Sequence, residues 1–299
     1  MKRLKVGVIG CGVMGGFHIR QFKNIPEAEI IGASDIDPAR APQGIKFFTD
    51  YHELLKTSEA VSITSPTSTH YEVALDAIDA GCHVMIEKPI SLTAAQAEGL
   101  IKRAKERGVV LAVGHIERFN PAYTALFAAL KKRRPDVIDI KRLSPFPDRI
   151  TDVSCVIDMM IHDIDLARKI ANSDVKYVNA TGEMIRTKRL DKALAVICYE
   201  NGTIANIEAS RVHDSKARKM VVLCGKDALE ADLLNKKAFM IKNETRTELK
   251  ISDHDQLQCE LKDFISAIIN KKKPSVTGED GMAAIDIANR VEEEAIKQC

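Results

Sequence analysis

Short apolar runs alternate with amphipathic segments along the first 119 residues, a pattern typical of a parallel sheet flanked by helices. Strands are predicted at residues 5–9, 30–34, 45–47, 60–64, 83–86 and 109–113. Helices are predicted between them, at residues 12–22, 51–55, 68–80 and 93–107. The segment after residue 35 is short for a complete crossover helix, because Pro42 would end a helix early.

The pattern changes from Asn120 onwards. A helix is predicted at 121–132, a strand at 137–142 and a helical stretch at 156–170. Close turns such as Asn201-Gly202 then separate alternating segments, which favours a mostly antiparallel sheet. These segments lie at 175–186, 194–199, 203–208, 219–223, 228–233 and 238–241. Apolar stripes predict two final helices, at 255–269 and 278–297, whose packing on the first domain is left open.

A chain of 299 residues is too long for one small core, so these two patterns predict two domains in an α/β protein. The predicted domains are residues 1–119, with a parallel sheet, and residues 120–299, with an α+β arrangement.

The first predicted strand leads directly into the glycine motif Gly10-Cys11-Gly12-Val13-Met14-Gly15, and Asp35 ends the next apolar run. In a dinucleotide site, the first glycine makes a tight turn, the second lets the backbone approach a pyrophosphate, and the third lets the helix pack on its strand. The N–H groups at the helix start, which includes Val13 and Met14, attract phosphates. The motif alone is weak, but this order of strand, glycines, helix, strand and acid strongly indicates a dinucleotide site.

The carboxylate of Asp35 is expected to accept hydrogen bonds from the ribose diol of the adenosine. A 2′-phosphate about 4 Å from this carboxylate would meet roughly 1 to 4 kcal/mol of repulsion, depending on the effective dielectric. The sequence therefore favours NAD over NADP. Arg40 qualifies this preference, because a guanidinium near Asp35 would soften the repulsion.

The net charge of +2 gives no electrostatic reason to expect binding to nucleic acid or to an anionic membrane. Seven cysteines are scattered without a CxxC pair, which indicates thiols in a reducing cytosol and therefore a cytoplasmic protein. The chain has no apolar stretch of membrane-spanning length and no predicted signal peptide. The histidines are dispersed, so no metal site is predicted.

Two polar segments follow predicted strands of the first domain, at the edge where open α/β sheets bind their ligands. The hydroxyl and N–H groups of the first segment either meet the dinucleotide or cap the following helix; its candidates are Thr64, Ser65, Pro66 and His70. The second segment is Glu87-Lys88-Pro89, in which proline restricts Lys88 to extended geometry. A lysine at a strand end is usually only solvated, so in isolation Lys88 has no assigned role.

A third candidate lies in the second domain. Asp158 and His162 are four residues apart, so on a helix they share a face, with Asp165 one turn further on. A histidine and a carboxylate on one face can act as a base and its orienting partner. The alternative is a buried helix with a polar seam that has only a structural role.

Taken together, the glycine motif, Glu87-Lys88-Pro89 and the spacing from Asp158 to His162 resemble the glucose–fructose oxidoreductase, inositol dehydrogenase and MocA family. The resemblance runs from end to end and includes the segment 274–281 before the last helix. It implies a Rossmann domain followed by a domain with an open antiparallel sheet. It also implies that Lys88, Asp158 and His162 are catalytic, that Glu87 and Lys88 lie at the cofactor, and that the protein forms a homodimer or homotetramer.

Within this family, the segment 114–121 and the stretch from Arg149 to Asp165 are most similar to UDP-N-acetylglucosamine 3-dehydrogenases. That resemblance implies NAD-dependent oxidation of a sugar hydroxyl, at the 3-position of a UDP-N-acetylhexosamine. The expected substrate contacts are Lys88, Arg118, Asn120, Arg149, Asp158 and His162, with surface or capping roles as the alternative for Arg118 and Asn120. A free-sugar or myo-inositol dehydrogenase and a non-catalytic regulator that binds NAD and a sugar remain alternatives.

Overall fold

The computed structural model describes residues 3–131, 133–147 and 153–298. The chain divides into two compact units, of which the first comprises Met1–Ile116 and Asp255–Ile285 and the second Glu117–His254 and Asp286–Cys299. The sequence left open where the last two helices pack, and residues 255–285 fall within the first unit. Their main helix, α7 (Gln256–Ile269), packs against the first helix, α1 (Val13–Phe22), and completes the core of the first unit.

The first unit is built on a six-stranded parallel sheet in the order β3-β2-β1-β4-β5-β6. Its strands are β1 (Leu4–Ile9), β2 (Ala28–Ser34), β3 (Phe47–Phe48), β4 (Ala60–Ile63), β5 (His83–Glu87) and β6 (Leu111–Gly114). The helices between them, besides α1, are α2 (Tyr51–Leu55), α3 (His70–Asp79) and α4 (Ala94–Arg107). The strand order reverses between β1 and β4, and in such sheets that switch point is where ligands bind.

Local sequence explains where these helices start and stop. The Thr93 hydroxyl accepts a hydrogen bond from the Gln96 N–H at the start of α4, and Gly108 ends the same helix in the left-handed conformation. Between β2 and β3 only the 3₁₀ turn Pro38–Arg40 forms. The expectation that Pro42 leaves no room for a full crossover helix there is confirmed.

The second unit contains an eight-stranded sheet in the order β14-β13-β12-β11-β7-β10-β9-β8. Every pairing is antiparallel except that of β7 with β10, so the predicted open, mostly antiparallel sheet is confirmed. The strands are β7 (Val137–Leu143), β8 (Val175–Glu183), β9 (Lys192–Tyr199), β10 (Ile204–Ser210), β11 (Ala217–Cys224), β12 (Asp227–Asp232), β13 (Lys237–Lys242) and β14 (Thr245–Glu248).

Helix α5 (Pro121–Leu130) packs on β12 and β13, and α6 (Ile161–Ala171) packs on β7 and β10. A π-helical turn, Val156–Met160, leads into α6. The last helix, α8 (Gly278–Ile296), begins in the first unit and ends in the second. Among the residues that the structure describes, no helix combines the length and apolar character needed to cross a membrane.

Candidate active site

The glycine motif makes the turn from β1 into α1 as predicted. Gly10 has a φ of +94°, and a Cβ atom there would lie 2.6 Å from the Ser65 backbone nitrogen. A Cβ on Gly15 would overlap the Gly10 carbonyl oxygen, so only glycine lets α1 approach the turn this closely. Gly12 starts α1 and faces open space where its Cβ would be. No side chain caps the first turn of α1, so its N–H groups are available to a pyrophosphate.

Asp35 follows β2 and is tied to this turn. Its Oδ2 accepts a hydrogen bond from the Cys11 N–H at 2.7 Å, and its Oδ1 accepts one from the Asp37 N–H at 3.0 Å. Arg40 Nη1 lies 3.6 Å from Asp35 Oδ2, so the predicted closeness of this guanidinium to the Asp35 carboxylate is confirmed. Burial, and then the charge of Asp35, raise the pKa of the Cys11 thiol to about 11, which keeps this thiol neutral.

The segment after β4 is held by internal hydrogen bonds. Thr64 Oγ1 donates to the Gly10 carbonyl at 2.6 Å, and the Ser65 hydroxyl lies 2.8 Å from that of Thr69. Pro66 precedes the 3₁₀ turn Thr67–Thr69. His70 is buried, with its ring nitrogens 2.8 Å from the Pro89 carbonyl and 2.9 Å from the Ser65 carbonyl. These side chains therefore fix the loops around the glycine turn, and burial lowers the pKa of His70.

Glu87-Lys88-Pro89 ends β5, with a cis peptide bond before the proline and Lys88 half-buried. Glu87 Oε1 lies 3.0 Å from Nε2 of His18 on α1, and its Oε2 accepts from the Lys88 N–H at 3.3 Å. His18 Nδ1 is 2.7 Å from the Ser62 hydroxyl. The Glu87 carboxylate thus bonds to groups of the first unit, and its predicted place at the cofactor stays a prediction.

The sequence analysis missed His18. It lies on the buried face of α1, where a polar residue among apolar ones was the available signal. Burial would raise the pKa of Glu87, but the hydrogen bond and charge of His18 and the charge of Lys88 outweigh this and lower it. Glu87 is therefore an anion at neutral pH.

In the second unit, Asp158 lies in the π-helical turn and His162 in the first turn of α6, and both are half-buried. The predicted helical stretch is confirmed, although its first turn is π-helical. Turns of this kind inside helices frequently occur at functional sites. Arg149, which was predicted to contact the substrate, lies outside the described residues.

Buried ion pairs surround α6. The buried Arg118 pairs with Asp165 through two hydrogen bonds of 2.5 and 2.6 Å, and its contact with the substrate stays a prediction. Arg142 on β7 makes two hydrogen bonds to Asp163, at 2.7 and 2.8 Å, and one to Glu117, at 3.0 Å. These pairs join α6 to the sheet and to the segment before α5.

Asn120 caps a helix, the role that the sequence offered as the alternative to a substrate contact. Its Oδ1 accepts from the Ala122 N–H at 3.0 Å at the start of α5, and its Nδ2 donates to Glu117 and to the Leu233 carbonyl. The buried side chain is therefore engaged within the second unit, and its contact with the substrate stays a prediction.

The parallel sheet, the glycine turn and the acid after β2 define an NAD-binding Rossmann domain. In agreement with this, residues 4–115 match an oxidoreductase family with an NAD-binding Rossmann fold. Residues 131–230 match the GFO/IDH/MocA C-terminal domain. The chain belongs to the glucose–fructose oxidoreductase, inositol dehydrogenase and MocA family and is an NAD-dependent oxidoreductase.

Full-length relatives support this assignment. The chain is 34% identical to a UDP-N-acetylglucosamine 3-dehydrogenase of Acidithiobacillus ferrooxidans, over 97% of both chains. A crystal structure of that enzyme superposes with a TM-score of 0.95 at 33% identity, covering 100% of this chain and 99% of the other. A myo-inositol 2-dehydrogenase of Thermotoga maritima is 28% identical, over 94% of this chain and 93% of its own length.

Proposed function

We propose that this protein oxidises the 3-hydroxyl of a UDP-N-acetylhexosamine, with NAD as the hydride acceptor. The observation that carries the proposal is the full-length similarity to a UDP-N-acetylglucosamine 3-dehydrogenase, which exceeds that to the inositol dehydrogenase. Lys88, Asp158 and His162 supply the acid–base groups that such an oxidation needs. A free sugar or inositol is the alternative substrate class.

The residues of the first unit fit NAD. The open space at Gly12 and the N–H groups at the start of α1 would hold the pyrophosphate, and Asp35 would accept from the adenosine ribose. Ile36, next to Asp35, is 92% exposed, so its apolar side chain is available for contact with the adenine ring. When bound, NAD supplies the site with a hydride acceptor.

Each catalytic side chain has a separate role in the proposed reaction. His162 accepts the proton of the reacting hydroxyl, a function that typically contributes about 10² to 10⁴ in rate. Lys88 donates a hydrogen bond to the same oxygen and stabilises the negative charge that develops there. Asp158 orients the hydroxyl or the histidine.

The test of substrate class is to measure NADH formation with UDP-N-acetylglucosamine, glucose and myo-inositol. We expect fast turnover with the nucleotide sugar alone. Fast turnover of a free polyol without activity on any nucleotide sugar would refute the proposed substrate. Binding of sugars without NADH formation from any of them would instead indicate the non-catalytic regulator.

Replacing Lys88 by Ala is expected to reduce kcat by at least about 10²-fold, because the developing oxyanion loses its cationic donor. The affinity for NAD, measured by nicotinamide fluorescence, is expected to stay within a few fold. Lys102→Ala, which removes an exposed lysine of α4, is the matched control. Normal turnover by Lys88→Ala would remove Lys88 from the mechanism.

We further propose that the protein is a cytoplasmic homodimer or homotetramer that associates through its antiparallel sheet. The edges and one face of that sheet carry large apolar side chains with substantial exposure: Tyr177, Leu194, Ile204 and Leu223. Cys11, Cys82, Cys155, Cys198, Cys224 and Cys259 are free thiols, which suits a reducing compartment.

A further inference from the structure

Glu260 is a buried carboxyl group for which the proposed reaction has no use. It lies in α7, on the helix face that packs into the first unit, and only 3% of the residue is exposed. Among the residues that the structure describes, neither of its carboxyl oxygens has a hydrogen-bond partner. Buried polar groups in native proteins are rarely left unsatisfied, so this group requires a physical explanation.

The charges that act on Glu260 are both negative. The negative charge of Glu87, the residue before Lys88, raises the pKa of Glu260. The charge of Asp263, one turn further along α7, does the same. Asp263 has its own partners, since it accepts hydrogen bonds from the N–H and hydroxyl of Ser275 at 2.6 and 2.8 Å. Burial is the largest cause, and together these effects raise the pKa of Glu260 well above its usual range.

The two buried glutamates differ in what stabilises a negative charge on them. Glu87 has the His18 ring at 3.0 Å and the Lys88 N–H at 3.3 Å, and His18 is held in turn by Ser62. Within the described part of the chain, no group donates a hydrogen bond to Glu260. An isolated buried carboxylate is so costly that the group binds a proton instead. One negative charge, on Glu87, is therefore the stable arrangement for the pair.

We infer that Glu260 is a neutral carboxylic acid at neutral pH and acts as a positioning residue for the Glu87-Lys88-Pro89 turn. While Glu260 is neutral, Glu87 is the only anion of the pair and keeps its bonds to His18 and to the Lys88 backbone. Ionisation of Glu260 adds a second negative charge that repels Glu87 and weakens those bonds. The inference rests on the proposed catalytic role of Lys88, but its first two tests do not depend on activity.

The first test compares the unfolding of the wild type and Glu260→Gln by denaturant between pH 4 and pH 9. A raised pKa means that the folded state keeps a proton that the unfolded state releases above its ordinary pKa. The wild type is therefore fully stable below that pKa and loses stability as pH rises towards the folded pKa. Within this window the ratio of the two unfolding constants is expected to change about tenfold per pH unit.

Glu98→Gln, on the exposed face of α4, is the control and is expected to show no such window. The infrared C=O band of a carboxylic acid at pH 7, present in the wild type and reduced in Glu260→Gln, is a second measurement. A constant ratio of unfolding constants from pH 5 to pH 8, or no acid band in the wild type, would overturn the inference.

The second test asks whether Glu260 and Glu87 interact. The same comparison is made in a Glu87→Gln background, where the negative charge of Glu87 is absent. We expect the upper end of the pH window to move down by about one unit, because a like charge no longer opposes ionisation. An unchanged window would show that Glu260 is neutral through burial alone and does not act on the Lys88 turn.

The third test measures kcat against pH. Because Glu260→Gln cannot ionise, its alkaline loss of kcat is expected at higher pH than that of the wild type, with little change in the KM for NAD. An identical alkaline limb would refute the positioning role. If Lys88→Ala kept full turnover while the unfolding tests succeeded, the proposed function would fail and the neutral acid would stand.

Discussion

Asp35 supports the glycine turn, and we propose that it also selects NAD over NADP. Its carboxylate accepts the Cys11 and Asp37 N–H groups and so supports the glycine turn, while Arg40 lies 3.6 Å away. Because the charge of Asp35 is only partly offset by an exposed guanidinium, it is expected to keep its preference for a ribose without a phosphate.

We expect Asp35→Ser to raise the specificity ratio of NADP to NAD, as kcat/KM, by between about fivefold and a thousandfold. The gain arises because repulsion of a 2′-phosphate is removed while Arg40 stays to attract it. Glu29→Ser, which changes an exposed carboxylate of β2, is the control and should leave the ratio unchanged. If Asp35→Ser shows the wild-type ratio, Asp35 does not select the cofactor.

At the residue scale, the sequence predicts site residues that lie close to one another along the chain. Gly10, Gly12, Gly15 and Asp35 lie within one strand–helix–strand unit, and the structure places them together. His18 and Glu260 were not predictable in this way. Each occupies one position on the buried face of an otherwise ordinary amphipathic helix, and what each faces depends on how distant segments pack.

At the scale of the elements, α6 is anchored by charge as well as by apolar packing. Arg142 of β7 lies between Asp163 and Glu117, and all three side chains are almost completely buried. The attraction of the two carboxylates, against the opposing effect of burial, raises the pKa of Arg142 above its usual range. This arrangement fixes the helix whose first turn contains His162.

Replacing Arg142 by Leu is expected to reduce the free energy of unfolding by about 3 to 5 kcal/mol, since buried Asp163 loses its cation and Glu117 keeps only the exposed Arg218. Urea denaturation at pH 7 measures this loss. Arg134→Leu removes an exposed partner of Asp136 and should change stability by at most about 1 kcal/mol. A similar small loss for both variants would contradict the view that the Arg142 pair stabilises the second unit.

The predicted helices and strands agree with the observed ones to within three residues at either end, and α2 has the predicted bounds. Strand β14 was missed because Thr245–Glu248 is polar and exposed, so it has no apolar signal. The π-helical turn before α6 was also missed. A hydrophobic pattern with helical spacing does not distinguish the hydrogen bonding of one helical turn from that of another.

At the scale of the whole molecule, the open sheet of the second unit shapes the assembly that we propose. Along β9 and β10, alanine and isoleucine side chains alternate inward and are buried, while Leu194 and Ile204 point to the other face and are exposed. A sheet face with this composition is normally covered, and a second copy of the chain is the expected partner.

The double variant Leu194→Glu with Ile204→Glu is expected to lower the mass of the native species, because charges on both sides of a symmetric interface repel. Sedimentation equilibrium over a range of concentrations measures that mass. Ile269→Glu, at an equally exposed position at the end of α7, is the control. A monomeric wild type, or an oligomer unaffected by the double variant, would exclude this face as the interface.

Helix α7 has a further consequence for how the protein is made. Its residues Leu257, Leu261, Phe264 and Ile265 belong to the same hydrophobic cluster as Val6, Ile19 and Phe22. Residues 4–114, which form the parallel sheet, are synthesised before α7, so the side of α1 that α7 covers stays exposed until residues 256–269 have been made. A nascent chain that stalls before residue 257 therefore presents chaperones with an exposed apolar helix.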